Sequence, residues 1–110
     1  MTERRLQEPS FLILTALAAA PLHGYGIMAE VASISSGRVR LRAGTLYAAL
    51  DRLRTDGLIE VDREDVVDTR LRRFYRLTPD GAARLAAEAE LLRHNADAAV
   101  RRLRLAGGTS

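Results

Sequence analysis

Apolar residues recur along this chain at spacings that change from segment to segment, and each spacing predicts an element. The run from Phe11 to Leu22 carries no charge, and Leu12, Ile13, Leu14 and Leu17 spread over a broad surface. That pattern predicts a first helix, opened by Pro9-Ser10, reaching about Leu22 and buried on several sides, with Pro21 loosening its end. His23-Gly24-Tyr25-Gly26 reads as a turn and the entry to a second helix over about 24–35. There Ile27, Met28, Val31 and Ile34 recur at helical spacing, and Ser35-Ser36-Gly37 stops the helix. Arg38 to Leu41 reads as a short extended linker. In the next segment Leu46, Ala49, Leu50 and Leu53 fall at i, i+3, i+4 and i+7, the buried face of a third helix over about 43–56, with Gly57 as its C′ residue. Leu58 to Val61 and Leu71 to Leu77 read as strands, with a polar loop over 64–70 between them. Thr78-Pro79 pairs a capping residue with Pro at the first helical position, which starts a fourth helix ending near Leu105, before Gly107-Gly108. At ~1.5 Å per residue this helix is roughly 40 Å long. Residues 1–8 are polar and expected to fray.

A short helix with one apolar face, a Gly stop and a two-stranded hairpin make a DNA-reading device. The predicted fold is mainly α with a small β-wing: a winged helix-turn-helix plus a long C-terminal helix. The expected organisation is a DNA-binding domain over 1–78, then a dimerisation helix and tail over 79–110.

Composition narrows the function classes. A chain of 110 residues fits one domain with a small core, of the kind that oligomerisation often supplements. The absence of Cys excludes disulfide and thiolate chemistry. His23 and His94 lie far apart in no metal-ligand spacing, so no metal or other cofactor is expected. No His–carboxylate pair at useful spacing and no Gly-rich phosphate loop is present, which argues against an enzyme. The apolar run Phe11–Leu22 is too short to span a bilayer, and no signal-peptide pattern follows the N-terminus; a cytoplasmic protein with no membrane partner is expected.

The net charge of +3 is localised. Segment 38–76 holds ten Arg and seven acidic residues, while the rest holds seven of each. All 17 basic residues are therefore Arg, which binds phosphate bidentately and reads guanine edges. A G+C-rich coding sequence gives the same bias, so composition alone does not establish DNA binding.

Four motifs in order carry a resemblance: Leu-His-Gly-Tyr-Gly-Ile (22–27), Gly-Thr-Leu-Tyr-x-x-Leu-x-Arg-Leu (44–53), Asp-Gly-Leu-Ile (56–59) and Arg-x-x-Tyr-x-Leu-Thr-x-x-Gly (72–81). Over roughly 10–85 the chain resembles the PadR family of winged-helix transcriptional regulators, in its short form. The chain departs from the family pattern twice. Ala48 stands where Pro commonly follows the recognition-helix Tyr, and Arg42 stands where Ser or Asn commonly caps that helix, a loss of ~1 kcal/mol unless Thr45 caps instead. The resemblance implies a regulator, usually a repressor, that acts as a dimer, and a DNA-contacting Tyr at position 47.

With the leucines inward, Gly44, Thr45, Tyr47, Ala48 and Asp51 lie on the outer face of the third helix. Gly44 and Ala48 are small enough to let the helix enter a major groove, and Thr45 and Tyr47 can reach phosphate or base edges. Tyr47 has an alternative as a residue packing on the second helix, and Tyr25, beside helix-start amides that favour phosphate, has one as a turn-packing residue. His23 reads as a turn residue. Arg40 and Arg42 precede the helix and join the candidate DNA-binding set. In the wing Arg70, Arg72 and Arg73 are candidates for phosphate or minor-groove contact, Arg70 and Arg72 above Arg73. Adjacent strand residues point to opposite faces. Glu64, Asp65 and Asp68 stand as alternative partners for these cations.

Along the last helix Leu85, Ala89, Leu92, Ala96, Ala99 and Leu103 alternate by four and three, the heptad pattern of a dimer seam, and Asp97 precedes Arg101 by a helical ion-pair step. An isologous homodimer is the expected partner. Short family members that bind planar compounds do so where the first and last helices of the dimer meet, using an aromatic in the last helix. The matching position here is Leu92, and the chain has no Trp. That argues against a flat aromatic sandwich and leaves Phe11, Leu92 and Ala96 as the candidate lining for a small apolar effector. The expected function is a homodimeric repressor on a pseudo-palindromic site in double-stranded DNA. The rival is a winged-helix module for protein–protein contact, which an acidic or apolar recognition face would mark.

Overall fold

A computed structural model of the chain describes residues 5–107. Residues 1–4 and 108–110, which include half of the expected frayed start and Gly108 of the expected stop, lie outside the described residues. The elements run α1 (Glu8–Ala19), β1 (Leu22–His23), α2 (Gly24–Ile34), α3 (Ala43–Thr55), β2 (Ile59–Val67), β3 (Arg70–Leu77) and α4 (Pro79–Gly107). This is the mainly helical fold with a β-wing that the periodicity predicts.

The core forms where the apolar faces of α1, α2 and α3 converge on the base of the sheet. Ile13 and Leu14 of α1, Ile27 and Val31 of α2, and Leu46 and Leu50 of α3 are fully enclosed. Leu58, Ile59 and Tyr75 close the sheet side of the same cluster. The turn between α2 and α3 is built on a buried hydroxyl. Ser35 Oγ donates to the Val31 carbonyl at 2.8 Å and accepts from Val39 N–H at 3.0 Å. One side chain thus satisfies both the end of α2 and the linker, which holds α3 at a fixed angle.

Two boundaries differ from the sequence reading, and the start of α3 agrees with it. Helix α1 stops at Ala19, not near Leu22, because Leu22 and His23 pair with Tyr75 and Phe74 as a short strand that periodicity could not reveal. The sheet is therefore three-stranded, in the order β1-β3-β2, and antiparallel throughout. The segment expected as a loop over 64–70 is mostly strand. Glu64 pairs with Arg73, Asp65 with Arg72, Val66 with Leu71 and Val67 with Arg70. Only Asp68 and Thr69 turn, both with positive φ, of 52° and 64°. Acidic residues disguised this stretch because charge on an exposed strand reads as loop. Lastly, Arg42 occupies the α3 N-cap with no side-chain hydrogen bond, and Thr45 does not shift the boundary.

Asp62 is an extra residue on β2, where the register steps from Val61↔Tyr75 to Arg63↔Phe74. A bulge of this kind bends its strand and re-aims the side chains beyond it. Gly57, with φ of 77°, ends α3 as the sequence predicts. Thr78 caps α4: its Oγ1 accepts from Gly81 N–H at 3.0 Å and donates to the Gly57 carbonyl at 2.6 Å. At the far end of the first helix, Arg5 reaches the buried Glu88 of α4 at 2.9 Å, pinning the segment before α1 to that helix. A buried carboxylate with such a partner gives no periodic signal, and the sequence reading missed it.

Gly81 is the tightest point of the fold. A Cβ there would overlap the Leu58 carbonyl oxygen, which belongs to rigid backbone. Gly81→Ala should therefore cost about 1–3 kcal/mol or more by forcing α4 off the sheet. Gly107→Ala, where an added Cβ meets nothing, should leave stability within about 1 kcal/mol of wild type. Urea unfolding of both variants checks this, and equal losses would show that α4 is not seated as described.

Candidate nucleic-acid interface

Burial of Leu46, Ala49, Leu50 and Leu53 sets the roll of α3. Gly44, Thr45, Tyr47, Ala48 and Asp51 consequently lie exposed along its outer side, as predicted. Tyr47 packs on the second helix, as its alternative reading has it, and stays partly exposed. Its ring lies against Gly24 at the start of α2, where any Cβ would collide with the hydroxyl, yet 43% of the residue remains exposed. Packing fixes the ring while its rim faces outward. Arg40 and Arg42 are also exposed, beside the start of α3.

His23 does more than turn the chain. It sits in β1 and caps α2, its Nδ1 accepting from Gly26 N–H at 3.4 Å. Its ring meets Phe74 edge-on at 5.2 Å, and the Arg63 guanidinium lies over the other ring of that pair, 4.0 Å from the Phe74 centroid. Nearby, the Arg72 guanidinium lies 4.7 Å from the Tyr25 centroid. The Arg72–Tyr25 stack joins the wing to the first turn of α2, the His23–Phe74 contact joins it to β1, and the Arg63–Phe74 stack ties the two wing strands to each other. Sequence reasoning missed them because cross-element stacking has no spacing signature.

The wing sorts its charge by strand. β3 carries Arg70, Arg72, Arg73 and Arg76, while β2 carries Glu60, Asp62, Glu64 and Asp65. Arg73 lies 3.6 Å from Glu64, and Arg76 lies 2.9 Å from both Glu60 and Asp62. Arg63 reaches Asp62 at 2.8 Å and Asp65 at 3.8 Å. Arg70 and Arg72 take no carboxylate in the ion pairs among the described residues, which leaves them as the uncommitted cations of the wing. At its tip, Val66 and Leu71 face each other across the strands and are both exposed. A cleft of about 410 Å³ opens between α3 and the wing, lined by Tyr47, Asp51, Glu64, Arg72, Arg73 and their neighbours. Arg72 Nε is enclosed there without an acceptor.

Helix α4 divides at its middle. Leu85 packs on the core and Ala89 is half-buried, but Leu92, Ala96, Ala99 and Leu103 are exposed in the single chain. Leu91 and Val100 extend the same apolar surface. Asp97 and Arg101 form no ion pair among the described residues, while Glu90 and Arg93 of the same helix lie 2.7 Å apart. Phe11 packs against the core, and two clefts of the described chain are lined by residues other than Phe11, Leu92 and Ala96. Among the described residues no helix is long and apolar enough to cross a membrane.

A helix-turn-helix whose second helix runs into a two-stranded wing defines a winged-helix protein. Residues 13–87 match the Transcriptional regulator PadR-like family, and the chain belongs to that family, which consists of regulators and not enzymes. It is 41% identical over 80 residues to the transcriptional regulator Rv3488 of Mycobacterium tuberculosis, covering 73% of this chain and 71% of that protein. A PadR family transcription regulator from Clostridium difficile superposes with a TM-score of 0.71 at 25% identity, over 88% of this chain and 99% of that one. Bacillus subtilis PadR, solved in complex with operator DNA, superposes with a TM-score of 0.65 at 23% identity, over 74% of this chain and 46% of that one.

The wing charges give a pH prediction. A hydrogen bond from Arg63, with Arg76 adding to it, holds the Asp62 carboxyl below its ordinary range, partly offset by its own burial. A depressed folded value means that the support is present above the unfolded value and is lost as pH falls through the folded one. NMR titration should place the Asp62 midpoint below that of an unfolded aspartate, and Arg76→Gln should move it up. An unmoved midpoint would show that the pair does not form in solution.

Proposed function

We propose that this chain is a sequence-specific DNA-binding regulator that acts as a homodimeric repressor on a pseudo-palindromic operator. The observation that carries the reading is the outer face of α3. It presents Gly44, Thr45, Tyr47 and Ala48, small or polar, with Asp51 its single acidic member, so it is neither the acidic nor the apolar face that protein docking would mark. Beside it stand Arg40, Arg42, Arg70 and Arg72 with no carboxylate in the described ion pairs. Such a helix fits a major groove, and cations at its flanks suit the phosphates on either side. Arg73 is the weakest member of the set because Glu64 already holds it. The operator complex of Bacillus subtilis PadR supports the same reading.

Residues 1–78 read DNA in this proposal, and residues 79–110 dimerise. The apolar surface of α4 from Leu92 to Leu103 has no cover in the single chain, and a second copy crossing it would supply one. A small apolar effector entering between copies near Phe11, Leu92 and Ala96 would alter the separation of the two recognition helices. The protein works in the cytoplasm, where its DNA is.

Selection from random duplex DNA should return a palindromic consensus, bound with an affinity that falls steeply with salt, by about 0.9 in log–log slope for each phosphate neutralised. Failure to bind any duplex at low salt would defeat the proposal. Gly44→Ala separates reading from folding: an added Cβ meets no protein atom, so stability should stay within about 1 kcal/mol, while operator affinity drops. Unchanged affinity would place Gly44 outside the groove. Leu92→Asp with Leu103→Asp should give a folded monomer by sedimentation, since both side chains are exposed in the single chain. A persistent dimer would move the interface elsewhere.

A further inference from the structure

We infer that Tyr25 acts on DNA through Arg72: its ring holds the guanidinium at the mouth of the wing cleft as an un-neutralised phosphate donor, which makes Tyr25 a positioning residue. The inference rests on the DNA-binding reading above and assigns the roles of two of its residues.

The argument starts from the register of the hairpin. Arg72 lies opposite Asp65, the carboxylate that would ordinarily pair with it. Asp65 lies 3.8 Å from Arg63 instead. Arg72 leaves the hairpin and stacks on the Tyr25 ring, 4.7 Å away on the first turn of α2. This choice of partner matters. A carboxylate fixes a guanidinium by cancelling its charge. An aromatic face fixes it by stacking, leaves the full charge in place, and keeps the N–H donors in the guanidinium plane free for an anion. Arg63 shows the contrast: it stacks on Phe74 but also reaches Asp62 and Asp65, so its charge is spent within the wing. Arg73 and Arg76 are likewise paired with acids.

Two further observations fit. Arg72 Nε is enclosed without an acceptor, so no hydrogen bond in the described chain anchors that atom, and the ring is its visible support. Arg72 also lines the cleft between α3 and the wing, beside Tyr47, where a duplex backbone passing from one to the other would run. Tyr25 is half-exposed, with 52% of its surface open, so the pair lies at the surface and its loss should spare the core. On this account the ring of Tyr25 matters and its hydroxyl does not.

The test uses the full chain and sheared duplex DNA of mixed sequence at low salt, so that it reads phosphate contacts without an operator. Arg72→Gln should weaken binding about tenfold and lower the salt slope by about 0.9, the loss of one phosphate contact. Tyr25→Leu should weaken binding and lower the slope in the same direction. Tyr25→Phe keeps the ring and should keep the wild-type slope. Tyr25→Leu combined with Arg72→Gln should bind no more weakly than Arg72→Gln alone, because the two act as one unit. Thermal unfolding of each variant confirms that the fold is retained. Additive losses, or a Tyr25→Phe variant as defective as Tyr25→Leu, would overturn the inference and make Tyr25 a direct ligand through its hydroxyl. Absence of binding by the wild-type chain would overturn the DNA reading itself, and this inference with it.

Discussion

The first turn of α4 lies on the backbone at Leu58 with no space for a side chain between them, and the rest of the molecule is arranged around that contact. The Leu58 carbonyl accepts from Thr78 N–H at 3.1 Å, while Leu58 N–H donates to the Leu53 carbonyl at 3.0 Å. Thr78 in turn bonds Gly57 and Gly81 through one hydroxyl. The end of α3, the start of β2, the end of β3 and the start of α4 thus meet within a few residues, fully hydrogen-bonded. Only glycine permits the approach at position 81. The joint leaves little freedom for α3 to tilt independently of α4, because interiors at this density do not deform continuously.

The wing solves a different problem. It projects from the core as a two-stranded hairpin, and such a hairpin has little stability of its own. Its acid-bearing strand β2 is the sheet edge, where charge guards against pairing with other chains. The cross-strand ion pairs are exposed, and each is worth only about 0–1 kcal/mol, less at high salt. They set register more than they add stability. What joins the hairpin to the body is the short β1 pairing, the edge-on contact of His23 with Phe74, and the stack of Arg72 on Tyr25.

Much of this was legible in the chain. The four helices, the Gly57 stop and the Thr78 cap follow from apolar period and local hydrogen-bonding chemistry, which act within a few residues. The outer face of α3 was legible for the same reason, since the four inward positions fix it. What stayed hidden depends on residues distant in sequence. β1 is a strand only because Tyr75 and Phe74 arrive beside Leu22 and His23. The acidic stretch after Asp62 looked like loop because nothing local shows that Glu64 and Asp65 fall opposite Arg73 and Arg72 of β3. The choice between Arg72 and Arg73 rested on strand alternation, but their partners, a ring and a carboxylate, come from different elements. The Asp97–Arg101 pair shows the converse: correct helical spacing permits an exposed pair and does not enforce it.

Helix α4 carries the remaining argument. Beyond Ala89 its leucines, Leu91, Leu92, Leu103 and Leu105, are uncovered in the single chain. In proteins most helical stability comes from packing of an apolar face and not from propensity, and this half of the helix has no such packing in the single chain. In the proposed dimer a second copy supplies it, and the consequence reaches α3. Because α4 is seated on Leu58 without slack, the crossing of two α4 helices would set the distance between two recognition helices, and with it the spacing of operator half-sites. A ligand that shifted the crossing would be felt at the DNA through the same joint. A coupling of ~1–3 kcal/mol, or roughly 5–150-fold in affinity, is the usual size of such an effect. A rigid joint transmits it without needing any change inside the winged domain.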